Sequence, residues 1–172
     1  MQKLIVLILC AIFFSCRSGE KTTAINDNMM SITGEILQTR DYCGGAAPSD
    51  ELIEELRTPS PLAGLTLSFK KGSVNTMDVE ISHQVTTDEN GKFSIRIPSG
   101  VYTVLLPSQT DLKIFEPGPL VRITDQEKLR EWWVNGFYSV DPQRTMVRQT
   151  IHAACDVPIG VPYVSYTGLP RP

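Results

Sequence analysis

Two histidines, four cysteines and an adjacent pair of tryptophans are the side chains here with the most chemistry to offer. A hydroxyl or thiol nucleophile needs a base beside it and an acid that orients the base. His83 and His152 stand far apart and neither lies in a nucleophile motif, so no catalytic residue is expected. On a regular strand His83 shares a face with Val79, Ile81 and Val85, which predicts a half-buried imidazole hydrogen-bonded at a core rim. His152 shares a face with Arg148 and Thr150, which points it at solvent. Zinc could draw on Cys43, Cys155, His83 and His152, but structural zinc sites present close pairs such as C-x₂-C or H-x₃-H. No such pair occurs, and neither a metal nor another cofactor is expected. Trp132 and Trp133 would point about 100° apart on a helix. Trp133, with Leu129 one turn earlier, suits a core. Trp132 is then left to stack on a sugar or anchor a partner. Glu51, Glu54 and Glu55 form an acidic helix face of the kind that is normally solvated.

Short strands between turn signals must position these residues. The chain has 172 residues, 41% of them apolar and 20% charged, with a net charge of −3. That composition excludes a disordered chain and a collagen-like repeat, and offers no basic footprint for nucleic acid. Leu65, Leu67 and Phe69 alternate with polar residues, as do Phe93, Ile95 and Ile97, and then Tyr102, Val104 and Leu106; this period of two is the strand signal. Weaker strands fall at Ser31–Leu37, Val79–Val85, Leu120–Thr124 and Thr145–Ala153. Between Thr87 and Phe93, Asp88 and Asn90-Gly91 predict a hairpin turn. Two short helices interrupt the strands. One is opened by Ser49 over Leu52–Leu56, and the other by a Thr124-Asp125-Gln126-Glu127 capping box over Lys128–Val134, stopped at Asn135-Gly136. The expectation is an all-β, seven-stranded antiparallel Greek-key sandwich with two helical insertions.

The N-terminus reads as an address. Leu4–Phe14 is an unbroken apolar run behind Lys3, too short for a membrane span of about 20 residues and suited to a secretory signal. Ser15-Cys16 resembles the bacterial lipobox, although Phe13 stands where that pattern usually has Leu. The resemblance implies cleavage before Cys16 and a diacylglycerol on its thiol. Residues 1–15 would then be the signal, 16–30 a polar tether, and 31–172 one domain with an extended tail. Arg17 is not the Asp of an inner-membrane retention signal, which points to the outer membrane and leaves the leaflet open. Cys10 leaves with the signal and Cys16 takes lipid, so Cys43 and Cys155 remain. In an oxidising compartment they are expected to pair. The tail from Pro158 to Tyr166 is extended by its prolines. It is expected to pack along the sheet, with Tyr163 and Tyr166 as further contacts for a partner.

Gly34-Glu35-Ile36, Pro61-Leu62-Ala63-Gly64-Leu65, Thr87-Asp88-Glu89-Asn90-Gly91-Lys92-Phe93 and Pro98-Ser99-Gly100-Val101-Tyr102 occur in that order. Together they resemble the carboxypeptidase regulatory-like, or transthyretin-like, domain over residues 31 to about 106. The resemblance implies a fold and says little about activity. Hydroxyisourate hydrolase, on the same fold, ends in Tyr-Arg-Gly-Ser, where this tail has Tyr166-Thr167-Gly168-Leu169. Intradiol dioxygenases need a His-x-His pair, which is missing. The expected role is therefore binding, scaffolding or assembly in the envelope, toward an envelope protein or a glycan. A periplasmic or surface hydrolase and a carbohydrate-binding module are the alternatives. A hydrolase would show a deep polar pocket near His83 or His152, and a sugar binder a row of exposed aromatics.

Overall fold

The computed structural model describes residues 28–115, 125–155 and 157–162. Cys16, Tyr163, Tyr166, the strand expected at Leu120–Thr124, the signal and most of the tether lie outside these residues. Within them the order is β1 (Met29–Arg40), α1 (Asp50–Arg57), β2 (Ser60–Pro61), β3 (Thr66–Lys71), β4 (Ile81–Thr86), β5 (Lys92–Pro98), β6 (Tyr102–Leu105), α2 (Gln126–Asn135), β7 (Tyr138–Val140) and β8 (Met146–Ala153).

The strands form two four-stranded sheets. In the first, β1 pairs antiparallel with β5 and β2 and parallel with β8. β8 spans Thr33 to Arg40 of β1 and so overlaps both other registers. It therefore occupies the opposite flank of β1 as an edge strand. The second sheet runs β4-β3-β6-β7, antiparallel throughout. One hydrophobic cluster joins the sheets: Ile32, Ile36, Phe93 and Val147 from the first meet Leu67, Phe69, Val104 and Val140 from the second. The molecule is mostly β and sandwich-like.

Three expectations are corrected. Eight strands are described rather than seven, because β2 and β7 span only two and three residues, too few to show a period. The sheets are not wholly antiparallel, because β8 runs parallel to β1; periodicity reports which face is buried and carries no strand direction. The Thr87–Phe93 turn is not a hairpin. Its local chemistry is as expected, with Asp88 Oδ1 accepting from the amides of Asn90 and Lys92 at 2.9 and 2.8 Å and Gly91 at φ 70°. It links β4 in the second sheet to β5 in the first, and so arches over the edge of the sandwich.

Buried polar groups hold this arch. Thr87 Oγ1 donates to the Leu62 carbonyl at 2.6 Å and accepts from the Leu65 amide at 2.9 Å. Gly34 permits the close pairing at the centre of the first sheet: a β-carbon there would run into the Phe93 ring and the Val147 carbonyl.

The far face of the second sheet is also covered. Ser68, Lys70, Thr103 and Leu105 alternate with the core residues and are themselves buried. The Gly136 turn that ends α2 lies against Thr103 and Leu105, and the Thr76 carbonyl accepts from the Lys70 ammonium. The N-cap of α2 is Asp125, whose carboxylate accepts from the amides of Glu127 and Lys128, one residue later than the expected Thr124, which lies outside the described residues. α1 is capped by Ser49 Oγ as expected.

Candidate functional site

Cys43 and Cys155 are bonded, with Cα atoms 5.6 Å apart and a sequence separation of 112. Cys43 follows β1 and Cys155 follows β8, so the disulfide ties together the ends of the one parallel pair among the described strands. It sits beside a constellation that the sequence does not reveal. Thr39 and His152 are opposite partners in the β1–β8 register. Thr39 Oγ1 lies 3.1 Å from His152 Nδ1, and His152 Nε2 lies 3.1 Å from Asp41 Oδ1. An ionised carboxylate only accepts, so the Nε2 proton faces Asp41 and a neutral imidazole accepts the Thr39 hydroxyl proton at Nδ1.

Hydroxyl, imidazole and carboxylate in series is the arrangement that activates a nucleophile. Acyl transfer also requires donors about 3 Å from the developing oxyanion. The side chains of His152 and Asp41 are 46% and 40% exposed, and a surface pair of that kind contributes under about 1 kcal/mol to stability. His152 reaches solvent as expected, beside a shallow groove of about 320 Å³ along the β8 edge. Phe137, Ile151 and Val161 give this groove a largely apolar lining. It is open rather than deep. Val161 is buried and Ile159 packs on the core, so the root of the tail lies against the domain.

His83 is half-buried, as its strand position predicts. Its Nδ1 lies 3.0 Å from Ser82 Oγ and its ring meets Tyr102 edge-on at 6.2 Å. As the helical spacing predicts, Trp133 is buried with Leu129 and Trp132 is the more exposed of the pair, but the layer each one meets differs from the expectation. Half-buried Trp132 is the one that packs against the main core. Trp133 is 7% exposed, but it lies on the outer layer: its Nε1 donates to the Asp111 carbonyl at 3.1 Å and Phe115 meets it edge-on. The reason is that α2 covers the outside of the second sheet instead of entering the sandwich. Gln109 and Asn75, both buried, lock this layer, with Gln109 Nε2 donating to the Trp132 carbonyl and Asn75 Nδ2 to those of Trp133 and Gln109. Lys70 is buried and donates to the Thr76 carbonyl at 2.7 Å. Burial pushes the Lys70 ammonium below its ordinary pKa, against the pull of Asp78.

Among the described residues no cluster of His, Cys, Asp and Glu could hold a metal ion, and no helix is long and apolar enough to cross a membrane. Among the described residues none of the strongly exposed large hydrophobics is aromatic. Compared with protein-family models, curated proteins and solved structures, the chain shows no match.

Proposed function

We propose that this chain is an outer-membrane lipoprotein, anchored through Cys16, whose one domain is a Greek-key sandwich of the transthyretin-like kind serving a non-catalytic binding or assembly role. The observation that carries the envelope reading is the Cys43–Cys155 disulfide, because such bonds persist outside the reducing cytosol. The Leu4–Phe14 run before Ser15-Cys16 supplies the route. Residual exposure of Trp132, on an element locked by buried amides, favours it as an anchor for an envelope protein or glycan, with Tyr163 and Tyr166 as further contacts. Metabolic labelling with a fatty-acid analogue tests the anchor: Cys16→Ala should abolish the label, and persistent labelling would overturn it. Once a partner is captured, Trp132→Ala should weaken binding by about 2 kcal/mol, while His83→Gln and His152→Gln leave it intact.

A second reading, a surface or periplasmic hydrolase, is favoured by Thr39–His152–Asp41. It predicts ester turnover that Thr39→Val and His152→Gln both remove. Equal background rates in all three proteins would eliminate it.

A further inference from the structure

α2 carries a second feature that neither the anchor nor His152 explains. Gln126, Arg130, Trp133 and Val134 are spaced i, i+4, i+7 and i+8, which sets them on one helical stripe. Across from them stand Leu112 and Phe115, and the six together line a cleft of about 390 Å³. That volume falls within the range of small-molecule sites. The floor is fixed by the hydrogen bond from Trp133 Nε1 and by the Phe115 ring. The rim is apolar and open, with Leu112 46% and Val134 41% exposed.

One full charge lines this cleft, that of Arg130. Among the described residues Arg130 makes no ion pair. The nearby Asp111 carboxylate is engaged by Lys113, through its amide at 2.9 Å and its ammonium at 4.0 Å. Gln126 adds an uncharged polar group on the same stripe. Apolar walls beside a single cation that has no acidic partner among the described residues suit a ligand with an apolar body and one anionic head.

We propose that this cleft binds a small amphiphilic anion, an acyl or aryl carboxylate, with its apolar body between Phe115, Trp133 and Val134 and its carboxylate on the Arg130 guanidinium. Arginine is the side chain whose planar fork matches a carboxylate through two parallel hydrogen bonds. The site does not depend on lipidation of Cys16 or on the partner of Trp132.

The test is calorimetric titration of the folded protein with octanoate, octanol and octylammonium, with tryptophan fluorescence as a second readout. Octanoate should bind most tightly and octylammonium most weakly. Arg130→Gln should weaken octanoate about tenfold and leave octanol unchanged. Arg130→Lys should recover part of the loss, since it keeps the charge without the fork. Leu112→Ser, at an exposed rim position, should weaken octanoate and octanol alike, and it decides the matter if the Arg130 variants fail to fold. No octanoate binding at millimolar concentration, equal affinity for octylammonium, or unchanged affinity in Arg130→Gln or Leu112→Ser would each overturn the proposal.

Discussion

Removing the Cys43–Cys155 bond should be the most damaging change available at the surface of this domain. Cys43 is exposed and Cys155 half-buried, so the double variant Cys43→Ser/Cys155→Ser loses little packing. The effect comes from the unfolded chain, in which the bond closes a loop across a separation of 112 residues. The chain-entropy relation gives about 4.7 kcal/mol for a loop of that size, and measured effects more often fall at about 2–4 kcal/mol. For a domain of this length the unfolding entropy near 60 °C is roughly 0.3 kcal/mol/K. A loss of about 3–4 kcal/mol then lowers the melting temperature by roughly 10–15 °C. The native state adds a local signature. Among the described strands β8 pairs with β1 alone, and the bond lies just past the end of that pair. Amide exchange should therefore accelerate first in Met146–Ala153, before the β3–β6 pair opens. Scanning calorimetry and hydrogen exchange on the oxidised protein and the double variant measure both effects. A melting temperature within about 2 °C of the oxidised protein, with β8 still protected, would refute the reasoning.

Other consequences are equally direct. Thr87→Val keeps the shape but strands the Leu62 carbonyl and the Leu65 amide, and should cost about 2–4 kcal/mol in urea denaturation; a loss under about 0.5 kcal/mol contradicts the proposed role. Gly34→Ala drives a methyl group into Phe93 and the Val147 carbonyl, so it should destabilise by about 1–3 kcal/mol, whereas an unchanged midpoint would mean the sheet can part there. Lys70 has a folded pKa depressed by burial. Between that value and the ordinary 10.5 the unfolded chain holds a proton that the folded one has lost, so this group's contribution makes stability rise with pH in that window. Lys70→Met should flatten the rise, and parallel profiles for the two proteins would contradict the assignment.

What could be read in advance follows the range of the forces involved. Alternation at Phe93, Ile95 and Ile97 is local, and β5 lies where it predicts. The Ser49 cap and the Asp88 turn are also local, and both form. Whether the Asp88 turn folds a strand back on its neighbour or sends it to the opposite sheet depends on partners far away, and the residues of the turn do not carry that choice. The same holds for His152, more than a hundred positions from Thr39 and Asp41 and brought to them by the parallel register of β1 and β8. Alternation predicts β1 from Ser31, whereas it starts at Met29, where pairing with Pro98 extends the ladder. The cysteine pair is legible on the expectation that a signal and a lipid account for Cys10 and Cys16, which leaves Cys43 and Cys155 to pair. Helical spacing also tells which of Trp132 and Trp133 is the more buried, but it does not say which layer each will meet.

The lipid anchor is the central claim, and the N-terminus of the protein extracted from membranes tests it most directly. Mass spectrometry of the intact mature chain should find it beginning at Cys16, carrying a diacylglycerol thioether that hydroxylamine does not remove. A chain that begins elsewhere, or one with an unmodified Cys16 thiol, would contradict the account.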